Sequence, residues 1–164
     1  MSGRQFSLVA ELPPFTLLAP AADAAGRTSG YVTLKNAIKA FIVVHITQGN
    51  AATVALTPLQ AQDVSGTGSK AVNAVPIWSN LDVSLTSLLT ARAAAASYTT
   101  DAAVKNKLVV FEILPEAALD VTNGFTTIAI QTGASNAANI TFAEIITLNK
   151  IKAIGTGAVN ILAN

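Results

Sequence analysis

Residues Ala40–Gln48 read AFIVVHITQ, and this run decides the fold class. β-Branched and aromatic side chains fill it, and these suit a pleated surface better than a helix. Laid out with a period of two, Phe41, Val43 and His45 fall on one side and Ile42, Val44 and Ile46 on the other. Both sides are apolar, which predicts a central strand covered on two faces. Gly49-Asn50 ends the strand. His45, the single histidine, is expected to be buried there and satisfied by a neighbour.

The same reading extends in both directions. Val104–Leu114 ends in LVVFEIL and predicts a second buried strand. Tyr31–Leu34, Thr53–Thr57, Phe125–Thr132 and Ile140–Leu148 are strand candidates, the middle two with clear alternation. Val72–Trp78 also alternates, and Pro76 places it at an edge or a bulge. Pro115–Leu119 reads as one helical turn and Asn123-Gly124 as a tight turn. Ser84–Ala96 stays open, because Ala91–Ala96 favours helix and the flanking Ser and Thr do not. Strands at this spacing predict an all-β body over residues 31–149, a β-sandwich or a jelly-roll-like domain.

The ends differ. Pro13, Pro14 and Pro20 forbid regular helix, so residues 1–30 read as an extended N-terminal arm with an Ala- and Gly-rich joint. Phe6, Leu8, Phe15, Leu17 and Leu18 are too apolar for a solvated tail. They are the candidate partner-binding residues, with Met1–Pro20 expected to lie against another subunit rather than in its own sandwich. Residues 150–164 read as a C-terminal tail.

Composition narrows the function. Ten Lys and Arg stand against nine Asp and Glu, so the net charge of +1 supplies no field for nucleic acid or an anionic membrane. Charged residues make up 12%, about half the usual share, and 31 residues are Ala. A surface of Ala, Thr, Ser, Asn and Gln packs against other protein with little desolvation cost. The expected state is therefore an oligomer or a lattice-bound subunit. The charge-free stretches 40–62 and 121–143 are interrupted by Gly, Asn, Gln and Thr, so no membrane span or export segment is expected.

Chemistry-bearing motifs are sparse. There is no cysteine, hence no disulfide, thiolate metal site or cysteine nucleophile. The acids are scattered, and one histidine cannot build a base, nucleophile or metal set by itself. Ser65–Lys70 (SGTGSK) lacks the order of a phosphate loop, and Gly66 and Gly68 read as turn residues. No enzyme activity, cofactor, metal or small-molecule substrate is expected. A carbohydrate- or host-surface-binding module is the alternative. It would need aromatic platforms, and only Trp78, Tyr31 and Tyr98 are on offer.

Four runs carry a family resemblance: ITQGNAATVAL at 46–56, QAQDVSGTGSKA at 60–71, LVVFEI at 108–113 and LDVTNGFTTIAIQTGASNAANI at 119–140. Together they resemble small structural proteins of tailed-bacteriophage heads, the capsid decoration or cement proteins, over roughly Tyr31 to Leu148. The resemblance implies a β-rich virion protein, made in the host cytoplasm, that forms dimers or trimers. It would bind the outer face of the major capsid protein lattice and stabilise the head. It transfers no site residues.

Overall fold

The computed structural model describes residues 8–150. In chain order the elements are α1 (Leu8–Glu11), β1 (Pro14–Ala22), β2 (Arg27–Thr28), β3 (Val32–Thr33), β4 (Ala37–Gln48), β5 (Ala55–Ala61) and β6 (Lys70–Ala71). There follow β7 (Val75–Asn80), β8 (Thr90–Ala95), β9 (Tyr98–Thr99), β10 (Asn106–Ile113), α2 (Pro115–Ala118), a 3-10 turn at Val121–Asn123, β11 (Thr127–Thr132) and β12 (Asn139–Asn149). Two antiparallel sheets form a sandwich. One runs β1-β12-β4-β10-β7-β8, and the other runs β2-β11-β5-β6, with β3 on β11 and β9 on β5.

The long strand β4 sits between β12 and β10, as its apolar run requires. Ala40, Ile42, Val44 and Ile46 point inward to Leu56, Ile128 and Ile130 of the second sheet, with Val109, Phe111 and Ile113 of β10 beside them in one core. The expectation of cover on both faces is corrected. Outward-facing Phe41 and Val43 are only half-buried and His45 is exposed, because a two-layer sandwich gives each sheet one partner face. His45 is therefore not a core residue. Its ring lies 5.8 Å from that of Phe142, its cross-strand neighbour.

Local punctuation follows the sequence. The β7–β8 register shifts between Val75 and Ile77, so Pro76 sits at a bulge. Gly124 closes the 3-10 turn in the left-handed region with φ 81°. Thr90–Ala95 is an exposed edge strand, so the Ala-rich half of Ser84–Ala96 forms no helix.

The N-terminal arm is corrected over most of its length. Residues 14–22 are strand β1, an edge strand of the chain's own sheet, paired with β12 from Pro14↔Ile146 to Ala22↔Ile140. An edge strand needs donors on one side only, so the prolines that exclude a central strand permit this one. Register shifts between Thr16 and Leu18 and between Leu18 and Ala21 let two consecutive leucines face inward. Leu17 is 9% and Leu18 6% exposed, both in the core, and Phe15 packs against it.

The supposed joint is equally fixed. Asp23, wholly buried, accepts from Arg27 Nε at 3.2 Å and Nη2 at 3.1 Å, from Thr132 Oγ1 at 3.0 Å and from the Thr141 hydroxyl. Arg27 also donates to the carbonyls of Ala19, Ala21 and Thr141 at 2.8, 3.0 and 2.7 Å. A buried carboxylate and a forked guanidinium thus clasp β1, β11 and β12 together. The body begins at Pro14, not Tyr31.

Candidate assembly interface

Three surfaces carry large apolar side chains that the fold leaves uncovered. The first is the loop between β7 and β8, residues 81–89 (LDVSLTSLL). Leu85 is 80% and Leu88 74% exposed, and Val83 and Leu89 are exposed too. The loop is held in shape despite its exposure. Asp82 pairs with Lys105 at 2.6 Å and caps the Ser84 amide at 3.1 Å. Asn80 Nδ2 donates to the Thr86 carbonyl at 2.5 Å, and the Val83 amide to the Asn106 carbonyl at 3.0 Å. The Lys105 ammonium holds the Asp82 carboxyl below its usual value.

At the opposite end of the same strands lies a groove of about 360 Å³. Its apolar lining is Leu34, Ile38, Leu114, Leu119, Val121 and Phe125, with Lys35, Glu116 and Lys150 among its polar members. Ile38, Leu114 and Val121 are exposed. The helical turn α2 builds one wall: Pro115 starts it without needing a donor, and the Leu119 amide closes it on the Pro115 carbonyl at 3.0 Å. On the other wall, Lys70 lies 4.2 Å over the Phe125 ring and pairs with Asp120 at 2.7 Å.

The outward face of the β1-β12-β4-β10-β7-β8 sheet is the third surface. Cross-strand rows place Phe142, His45 and Leu108 side by side, then Glu144, Val43, Val110 and Trp78. Lys39 pairs with Glu112 at 2.5 Å across this face and lies 5.1 Å from the Phe41 ring centre.

The residues singled out beforehand do not form one contact surface. Phe6 lies outside the described residues. Leu8 is exposed on α1, while Phe15, Leu17 and Leu18 serve the chain's own core. The three candidate aromatics do not share a face either. Tyr31 bonds Ser69 beside the 63–69 turn, and Tyr98 lies on the inward side, bonded to Ser79 at 3.3 Å. Trp78 faces outward, with its indole N–H buried and unpaired among the described residues.

The glycine-rich run at 65–70 is a self-contained turn. The Asp63 carboxylate takes the Ser65 and Thr67 amides at 2.9 and 3.1 Å and the Thr67 hydroxyl at 2.7 Å, which holds its pKa down. Gly66 and Gly68 adopt φ 88° and 68°. Among the described residues, no three His, Cys, Asp or Glu side chains stand close enough to hold a metal ion, and no helix is long and apolar enough to cross a membrane.

The exposed leucines carry a sequence signal of their own. Between Asp82 and Arg92 no residue is charged, and Leu81, Leu85, Leu88 and Leu89 stand at helical spacing (i, i+4, i+7, i+8), although the segment forms no helix. An apolar stripe that no helix carries to the core is left at the surface.

No family model matches the chain, and no curated protein matches it. Among solved structures it is similar to the SPBc2 prophage-derived protein YomS, at 11% identity with a TM-score of 0.46, over 83% of this chain and 92% of that one.

Proposed function

We propose that the chain is a structural subunit of a phage head, a decoration protein that binds the major capsid protein lattice from outside. One observation carries the assembly part of this reading. A sandwich with few charges keeps large apolar side chains uncovered at both ends of its strands, and contiguous exposed apolar surface marks protein contact. Such a surface costs little to desolvate and gains with every side chain it covers. Val83, Leu85, Leu88 and Leu89 alone would contribute on the order of 6 kcal/mol gross on burial. Association entropy offsets much of that, so each contact is modest and the effect on a shell comes from many copies. The phage-head part comes from the sequence resemblance. The scattered aromatics do not favour the carbohydrate-binding alternative.

Co-sedimentation tests the proposal. Purified protein mixed with empty heads of the phage that encodes it should bind saturably and raise the temperature at which the shells disrupt. Absence of saturable binding, with the protein folded by circular dichroism, would refute it.

A further inference from the structure

We infer that copies of this chain associate head to tail, the apolar loop of one seated in the apolar groove of the next. This rests on the assembly-subunit reading and names a partner for two of its surfaces: a second copy of the same chain.

Loop and groove are complementary in shape and chemistry. The loop is a protrusion whose Leu85 and Leu88 stand 80% and 74% exposed, with no charge from Val83 to Ala91. The groove is a concavity of about 360 Å³ with a mainly apolar lining, ample for two leucine side chains, and Lys35, Glu116 and Lys150 are its charged members. The loop's leucines are also pre-positioned. The Asp82–Lys105 pair and the Asn80–Thr86 bond hold its base, so little ordering is needed on contact.

Placement sets the geometry. The loop's Val83 is tied to Asn106 at the first residue of β10, and Leu114 of the groove directly follows the last. Protrusion and concavity are thus separated by the length of an eight-residue strand, roughly 27 Å, and lie at opposite ends. Each copy offers one of each. Repeated in one direction, a contact between unlike surfaces at opposite ends of the strands is heterologous and builds a row or a ring. Two leucines with their flanks cover less than a standard interface, so a single contact is weak and concentration-dependent.

Complementation tests this with the full-length protein alone. Leu85→Asp with Leu88→Asp disables the loop and leaves the groove. Leu114→Asp disables the groove and leaves the loop, and Ile38→Lys replaces it should Leu114→Asp fail to fold. Sedimentation velocity across a concentration series should show the wild-type mass rising above the monomer. Each variant alone should associate on the order of 100-fold more weakly. Mixed in equal amounts, the two should recover a one-to-one dimer through the remaining intact loop and groove, and stop there. A wild type that stays monomeric at every concentration overturns the inference, as does a mixture that gives no dimer while the wild type associates. If the loop variant loses shell binding while the wild type is monomeric, the inference falls and the shell is the loop's partner. If complementation succeeds and no shell binds, the inference stands and the decoration role falls.

Discussion

Removing residues 1–22 should strip β1 from the edge of its sheet and destabilise the whole domain, whereas removing residues 1–12 should not. The longer deletion takes Leu17 and Leu18 out of the core and leaves the inward side of β12, with Ala143 and Ile145, short of cover. Burial of the two leucines is worth about 1.5–3 kcal/mol each. Phe15 adds a partial share, and Arg27 loses its acceptors at Ala19 and Ala21. The sum is about 5 kcal/mol, a large part of the 5–15 kcal/mol that separates a typical folded domain from its unfolded chain. For a domain of this size that corresponds to a fall in Tm of about 10–20 °C. Among the described residues before Pro14, none belongs to the core. Thermal melts by far-UV circular dichroism, with urea titration followed through Trp78 fluorescence, read both truncations. A 1–22 deletion that melts within about 3 °C of the full chain would show that β1 is an arm after all.

Two further outcomes follow from the charged groups. Lys107 is buried against Asp101 Oδ1 at 2.6 Å and Gln48 Oε1 at 2.8 Å, while the Asp101 side chain is 43% exposed. Asp101→Ala would leave a buried ammonium without its counter-charge and should cost more, about 2 kcal/mol, than Lys107→Met, which leaves only a solvated carboxylate; urea midpoints in the reverse order would contradict this. Asp63, Asp82, Asp101 and Asp120 are all held below their usual 3.8, chiefly by Thr67, Lys105, Lys107 and Lys70 respectively. A carboxyl with a lowered folded-state pKa stabilises the fold above its unfolded value and loses that contribution as pH falls through the folded one. The urea midpoint should therefore be flat near neutrality and drop below about pH 4, and a midpoint that rises on acidification would contradict the assignment.

The sandwich was legible because its signals are local. The apolar run at 40–48, the bulge at Pro76, the turn at Asn123-Gly124 and the alternation at 125–132 each report on their own strand. The N-terminal segment was not. Pro13, Pro14 and Pro20 beside Leu17 and Leu18 describe an extended apolar strand at a sheet edge, whoever owns the sheet, because edge pairing uses the same bonds within a chain and between chains. What decides ownership is the Asp23–Arg27 clasp, whose partners come from residues 132 and 141, too remote in sequence for a local pattern to show. Asp23 and Arg27 read in isolation as two loop charges.

The outward face of β4 poses the same problem from the other side. Apolar residues on both faces of a strand imply two partners, and a two-layer sandwich contains only one. Phe41, Val43, Leu108 and Val110 are therefore apolar without a layer of their own chain to cover them, and they are only half-buried by neighbours on the same face. Their sequence signal was real and its assignment to the core was wrong. An apolar face that the fold does not use is a demand left over for another molecule. The leucines at 85 and 88 make the same demand at the strand ends, in a loop whose polar bonds hold them outward rather than letting them fold back.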